Sequence, residues 1–132
     1  MTEVTAAVIE REGKILACRR RADQTHPRKW EFPGGKVEPG EEAAAALVRE
    51  LEEELGIRVE TSQEITRYEY QYPGGAPLLL IFFRVERYAG EIENRIFAEV
   101  RWAGVAELGA LDFLEGDVDF IRRLADGKLS EP

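Results

Sequence analysis

Apolar and polar residues change their period several times along the chain, and each change marks an element. Val4 to Glu10 and Lys14 to Cys18 are β-branched or apolar runs flanking Arg11-Glu12-Gly13, which predicts a hairpin with Gly13 at the turn. Arg19 to Arg28 is polar and basic and reads as a loop, after which Trp30-Glu31-Phe32 alternates like a short strand and stops at Pro33-Gly34-Gly35. From Glu42 to Leu55 the period becomes helical, with Ala44, Leu47, Val48, Leu51 and Leu55 on one side and Gly56 supplying the left-handed stop. Glu60 to Tyr72 and Leu78 to Arg87 alternate again and predict a second hairpin across Pro73-Gly74-Gly75. Val100 to Ala103 predicts a strand, and Val118, Ile121 and Leu124 predict a closing helix over Gly116 to Leu124. This order predicts the α/β class, with a mixed sheet between helices.

Size and charge narrow the choices. With 132 residues and 44% hydrophobic content, residues 1–132 form one domain whose core needs neither disulfide nor structural metal. The net charge of −8 argues against a nucleic acid polymer or an anionic membrane as partner, because both demand a basic surface. A polyphosphate substrate would then need local positive charge or a cation. Cys18 is the sole cysteine and His26 the sole histidine, so no disulfide or Cys/His zinc set is available, and a cytoplasmic location is expected. Neither a leader nor a run of about 18 apolar residues is visible.

The chemistry concentrates at the end of the predicted helix. Glu50, Glu52, Glu53 and Glu54 stand just before Leu55-Gly56, where unpaired carbonyls already carry partial negative charge, so each acid there costs up to about 1 kcal/mol. Glu50, Glu53 and Glu54 share one face at i, i+3 and i+4, and Glu52 points elsewhere. The ordinary reading is a solvated acidic face. The apolar stripe, however, leaves these acids on an accessible side, and two Gly-Pro turns just before the helix bring flexible backbone close to them. A hard cation such as Mg²⁺ binds through a few carboxylates plus substrate phosphates, which points to metal-assisted hydrolysis of a phosphoanhydride. Arg49 can reach back to Glu41 and orient the ligands.

Gly35, Glu41, Arg49, Glu50, Leu51, Glu53, Glu54, Gly56 and Ile57 fill every fixed position of G-x5-E-x7-R-E-U-x-E-E-x-G-U, U being a bulky aliphatic residue. This segment resembles the Nudix box. The resemblance implies an α/β/α sandwich and hydrolysis of a nucleoside diphosphate linked to another moiety, with Mg²⁺ or Mn²⁺. It implies metal binding by Glu50, Glu53, Glu54 and the Gly35 carbonyl, with Glu50, Glu53 and Arg49 as the catalytic set and Glu50 as the match to a general base. A later loop acid often joins the site in this family. Ile96 and Phe97 stand at the expected spot here, which leaves Glu99, or Glu93, as the substitute.

Trp30 to Glu38 resembles the same stretch of MutT-like members, which implies a (deoxy)nucleoside triphosphate split to monophosphate and pyrophosphate, with oxidised dGTP or CTP-type nucleotides as candidates. By the same resemblance Arg20 contacts phosphate, Phe32 and Tyr72 flank the base, and Asp117 reads it. The plainer readings are a solvated arginine patch, packing aromatics, and an N-cap at Asp117. His26 reads as a surface residue and Cys18 as a core thiol. A nucleotide-sugar or dinucleotide pyrophosphatase and a non-catalytic nucleotide-binding module remain as alternatives. A monomer or a homodimer fits either.

Overall fold

The structure is a computed structural model and describes residues 1–127. Its elements run β1 (Thr2–Val8), β2 (Glu10–Arg11), β3 (Lys14–Arg19), β4 (Trp30–Glu31), α1 (Ala43–Leu55), β5 (Arg58–Tyr70), β6 (Leu78–Ala89), β7 (Glu99–Ala103), α2 (Val105–Ala110) and α3 (Glu115–Ala125). The strands form two sheets instead of one. The first is mixed, in the order β1-β6-β5, and the second is antiparallel, with β3 paired to β2, β4 and β7. The hairpin predicted at Gly13 exists only as the short β2–β3 pair. β1 leaves it to run parallel to β6, from Thr2 opposite Leu78 to Val8 opposite Arg84.

Burial explains that choice. Ala6 to Ile9 and Leu80 to Phe83 are continuous apolar runs because both faces of these strands are covered. Ala6, Val8, Leu80 and Phe82 pack with Phe113, Phe120 and Ile121 on one side. Ala7, Ile9, Ile81 and Phe83 pack with Leu47, Leu51 and Leu55 of α1 on the other. The result is the expected helix, sheet, helix layering. β5 lies at the edge of its sheet and keeps the polar alternation of a strand with one wet face.

Two helix faces differ from the periodicity. In α3, Ile121 and Leu124 pack on the core as expected, but Val118 is 40% exposed and Asp117 and Phe120 take its place on the buried side. In α1 the exposed Ala44 yields its place in the stripe to Ala43 and Ala46, since the helix is rotated to bury Glu54. α2, a six-residue helix, carries too few apolar positions to show a period. Among the described residues no helix is long and apolar enough to cross a membrane.

Phe82 and Phe120 stack with centroids 4.1 Å apart and planes 3° apart, which joins α3 to the central strand. Phe120→Ala is expected to lower unfolding stability by about 3–5 kcal/mol, the range for an emptied aromatic core site, as measured by urea denaturation.

Candidate active site

The site begins with how α1 ends. Gly56 takes φ 69° and donates its N–H to the Glu52 carbonyl at 3.0 Å, closing the helix with a left-handed cap. No basic residue lies in the last turn. The loop after β6 does that work: Glu93 N–H donates to Leu55 O, Arg95 N–H to Glu54 O, and Arg95 Nη1 to Glu52 O at 3.1 Å. A guanidinium therefore sits against the negative helix end.

Arg49 organises the acids before it. Its Nε and Nη2 each donate to Glu41 at 2.9 Å as a fork, Nη1 donates to Glu50 at 3.2 Å, and Nη2 also reaches the Lys36 carbonyl at 3.1 Å. The Arg49 contact and a backbone hydrogen bond from Glu38 hold the Glu41 carboxyl down at about 2. Glu53 stays open to solvent, 61% exposed and 3.8 Å from Arg49. The reach from Arg49 to Glu41 matches the sequence expectation.

Glu54 departs from the accessible face expected for it. It is 8% exposed and accepts the Gly34 N–H at 3.2 Å. Burial, and then the neighbouring Glu50, push its carboxyl up to about 9. Gly35 lies hard against Glu50: a Cβ there would stand 2.4 Å from the Glu50 carboxyl carbon and push that carboxyl out of its present place. The Gly35 carbonyl, expected as a metal ligand, instead accepts the Thr5 N–H at 2.8 Å and the Thr5 hydroxyl at 3.1 Å, which occupies both lone pairs.

Among the described residues no three Asp, Glu, His or Cys side chains converge closely enough to hold a metal ion. Glu50 is turned to Arg49, Glu54 to the Gly34 amide, and Glu53 to water. The donor set nonetheless suits a hard divalent cation. It offers carboxylate oxygens, two of them crowded enough that burial and mutual repulsion disfavour a second negative charge.

Glu99 is not brought to this cluster. It pairs with Arg101 at 3.0 Å on β7, and Glu93 pairs with Arg95 at 2.8 Å. Asn94 explains the geometry, accepting the Phe97 N–H and donating to the Phe97 carbonyl, each at 2.8 Å, so that the loop turns Phe97 inward and its acids outward. Ile96 and Phe97 line the cavity where an acid was expected.

A cavity of about 570 Å³ opens beside the carboxylates. Gly34, Gly35 and Glu54 line it, as do Arg20, Phe32, Tyr72 and Asp117. Phe32 is largely a core residue, with Phe113 at 5.1 Å and Phe120 at 5.6 Å between ring centroids, and it presents one edge of that aromatic cluster as cavity wall. Tyr72 stands at the rim. Its hydroxyl accepts the Gly116 N–H at 3.0 Å, while Tyr68 donates to Gly116 O and accepts from Phe120 N–H. These tyrosines serve buried amides of α3, whose N-cap is Leu114 and has no side-chain acceptor.

Asp117 is therefore not the N-cap. It lies in the first turn of α3, 7% exposed, facing the cavity. Burial, then Glu31, push its carboxyl up to about 8, with the Phe32 backbone pulling the other way.

Sequence reading missed Thr5, a single hydroxyl inside an apolar run, and Glu31, an acid between two buried aromatics. Both patterns mark a polar group carried indoors, and both residues line the cavity. His26 is exposed, as expected of a surface residue, and it lines the same cavity with its ring 4.7 Å from that of Tyr72 across the rim.

With this geometry in view, comparison with known proteins defines the class. Residues 1–124 match the NUDIX domain, and the chain belongs to the NUDIX hydrolase family. It is 35% identical over 123 residues to the 8-oxo-dGTP diphosphatase of Escherichia coli K12, covering 92% of this chain and 95% of that protein. It is 49% identical over 74 residues to the CTP pyrophosphohydrolase of the same strain, a match spanning 56% of this chain and 55% of that enzyme's length. The solution structure of the E. coli ORF135 protein superposes with a TM-score of 0.87 at 32% identity, covering 100% of this chain and 94% of that one. The fold class and the resemblance drawn from the box stand. Nudix hydrolases generally need divalent cations.

The raised Asp117 carboxyl carries a sign. The native state keeps this proton to about pH 8, whereas an unfolded aspartate loses it near its ordinary 3.8, so stability falls as pH rises through that window. Asp117→Asn cannot ionise and removes the loss. Its melting temperature relative to the parent protein is expected to be higher at pH 8.5 than at pH 5, by at least about 5 °C in a thermal scan.

Proposed function

We propose that this protein hydrolyses a (deoxy)nucleoside triphosphate to the monophosphate and pyrophosphate, with Mg²⁺ or Mn²⁺. One observation carries the reading: a single cavity joins Glu54 and the Gly34-Gly35 backbone, against which Glu50 packs, to an aromatic and apolar wall near Asp117, with Arg20 also on its lining. Triphosphate and base need those two environments.

Glu50, Glu53 and Glu54 would hold the cation, Glu53 swinging in from solvent. The cation supplies charge neutralisation at the phosphates and a more acidic water. Arg49 fixes Glu50 through the Glu41 fork, and Glu50 accepts the proton of the water that attacks phosphorus as the P–O bond to the leaving group breaks. Arg20 meets phosphate oxygens. Phe32 and Tyr72 bound the base, and Asp117, which holds a proton near neutral pH, can donate as well as accept at its edge. The two named relatives act on a guanine-derived and a cytosine nucleotide respectively. Both bases present amino groups to such a carboxyl.

Incubation with a panel of normal and oxidised NTPs and dNTPs, plus Mg²⁺ or Mn²⁺, tests the reading by chromatography. Monophosphate and pyrophosphate are expected from at least one oxidised purine or cytosine nucleotide. Orthophosphate release would refute the proposed bond, and turnover of nucleotide sugars or dinucleotides alone would move the assignment within the family. Glu53→Gln is expected to lower turnover at least about tenfold without changing the melting temperature, because it removes a metal ligand from an exposed position.

A further inference from the structure

Arg20 is a residue with most of its donors already committed. Its Nε donates to the Thr25 carbonyl at 2.7 Å and Nη2 to the Thr25 hydroxyl at 3.0 Å, which binds the guanidinium to the loop after β3. Nη1 stands 3.2 Å from both oxygens of Glu31. The second Nη2 hydrogen remains for a ligand. Arg20, Thr25 and Glu31 all line the cavity.

Glu31 holds an uncomfortable place. It lies on β4 opposite Cys18 of β3, largely buried, and burial raises its carboxyl while Arg20 pulls it down. Its charge is also felt by Glu54 and by Asp117, so it stands among acids. In a cavity that must take an anion, a further buried carboxylate is a liability unless it does something that charge alone does not. A free arginine side chain has rotamer entropy to lose, and a preset fork loses less on meeting phosphate.

We propose that Glu31 is a positioning residue: with Thr25 it fixes the Arg20 guanidinium against the cavity wall, so that its remaining Nη2 N–H meets an anionic group of the substrate. This rests on the reading of the cavity as a polyphosphate site, but it makes a prediction of opposite sign to simple electrostatics. Removing a carboxylate near an anion site should tighten anion binding. Removing a positioning carboxylate should weaken it.

The test measures magnesium tripolyphosphate binding by titration calorimetry for the parent protein, Glu31→Gln, Arg20→Ala and the double variant. Glu31→Gln is expected to raise Kd about fivefold or more, and the double variant to bind no more weakly than Arg20→Ala alone, as residues acting through one another do. For any nucleotide that is turned over, KM is expected to rise more than kcat falls. Equal or tighter binding by Glu31→Gln overturns the proposal, as does a Glu31→Gln effect that persists undiminished without Arg20. If Glu31→Gln does not fold by circular dichroism, Glu31→Asp is scored the same way: weaker binding that vanishes in the Arg20→Ala background supports positioning, and unchanged binding refutes it. Arg20- and Glu31-dependent tripolyphosphate binding without turnover of any nucleotide would remove the triphosphate hydrolase reading and leave this one standing.

Discussion

Everything at the charged end of this molecule follows from pressing carboxyls against main chain. Glu50 abuts Gly35 where a Cβ would clash with it, and Glu54 accepts the Gly34 N–H at 3.2 Å while Gly34 itself is pressed against the Thr5 backbone. Like charges in that position repel one another and the helix end beneath them. The fold answers with a guanidinium at each side of the last turns, Arg49 on the acids and Arg95 on the terminal carbonyls. It then pins the opposing backbone through Thr5, so the glycines cannot recoil. The arrangement is crowded in charge and firm in geometry.

The other end of the cavity is built on different chemistry. Aromatic packing around Phe82 sets the wall, and Tyr68 of β5 with Tyr72 just beyond it grips α3 by its amides and holds Asp117 in its buried place. Tyr68 and Tyr72 are thus neither merely packing nor simply a platform for a base. They decide where the α3 carboxyl stands.

Much of this was legible in the chain. The acid spacing, Gly35 and Arg49 are set by local geometry along one helix and one turn, so the sequence pattern and the structure agree on them. The hairpin at Gly13 was legible only in part, because local alternation cannot reveal that β1 pairs with a strand far along the chain. Glu54 and Val118 were misjudged for one reason: a helical period fixes relative angles between residues but not the rotation of the helix on its sheet. Glu99 is placed differently. It stands on β7 opposite Arg19 and pairs with Arg101, and local sequence does not report that strand pairing. His26 is the surface residue the sequence suggests, and its rim contact with Tyr72 joins two turns that the sequence places well apart.

The parallel pairing of β1 with β6 has a consequence in time. Thr5, which fixes Gly35, belongs to a strand whose partner lies more than seventy positions later. Loop-closure entropy must be overcome before that contact forms, and such non-local parallel pairing is slow. A chain emerging from the ribosome can therefore make α1, with its crowded glutamates, well before β1 finds its partner strand. Until then the acids face a turn that nothing holds, and a nascent chain has no formed cleft to offer a nucleotide.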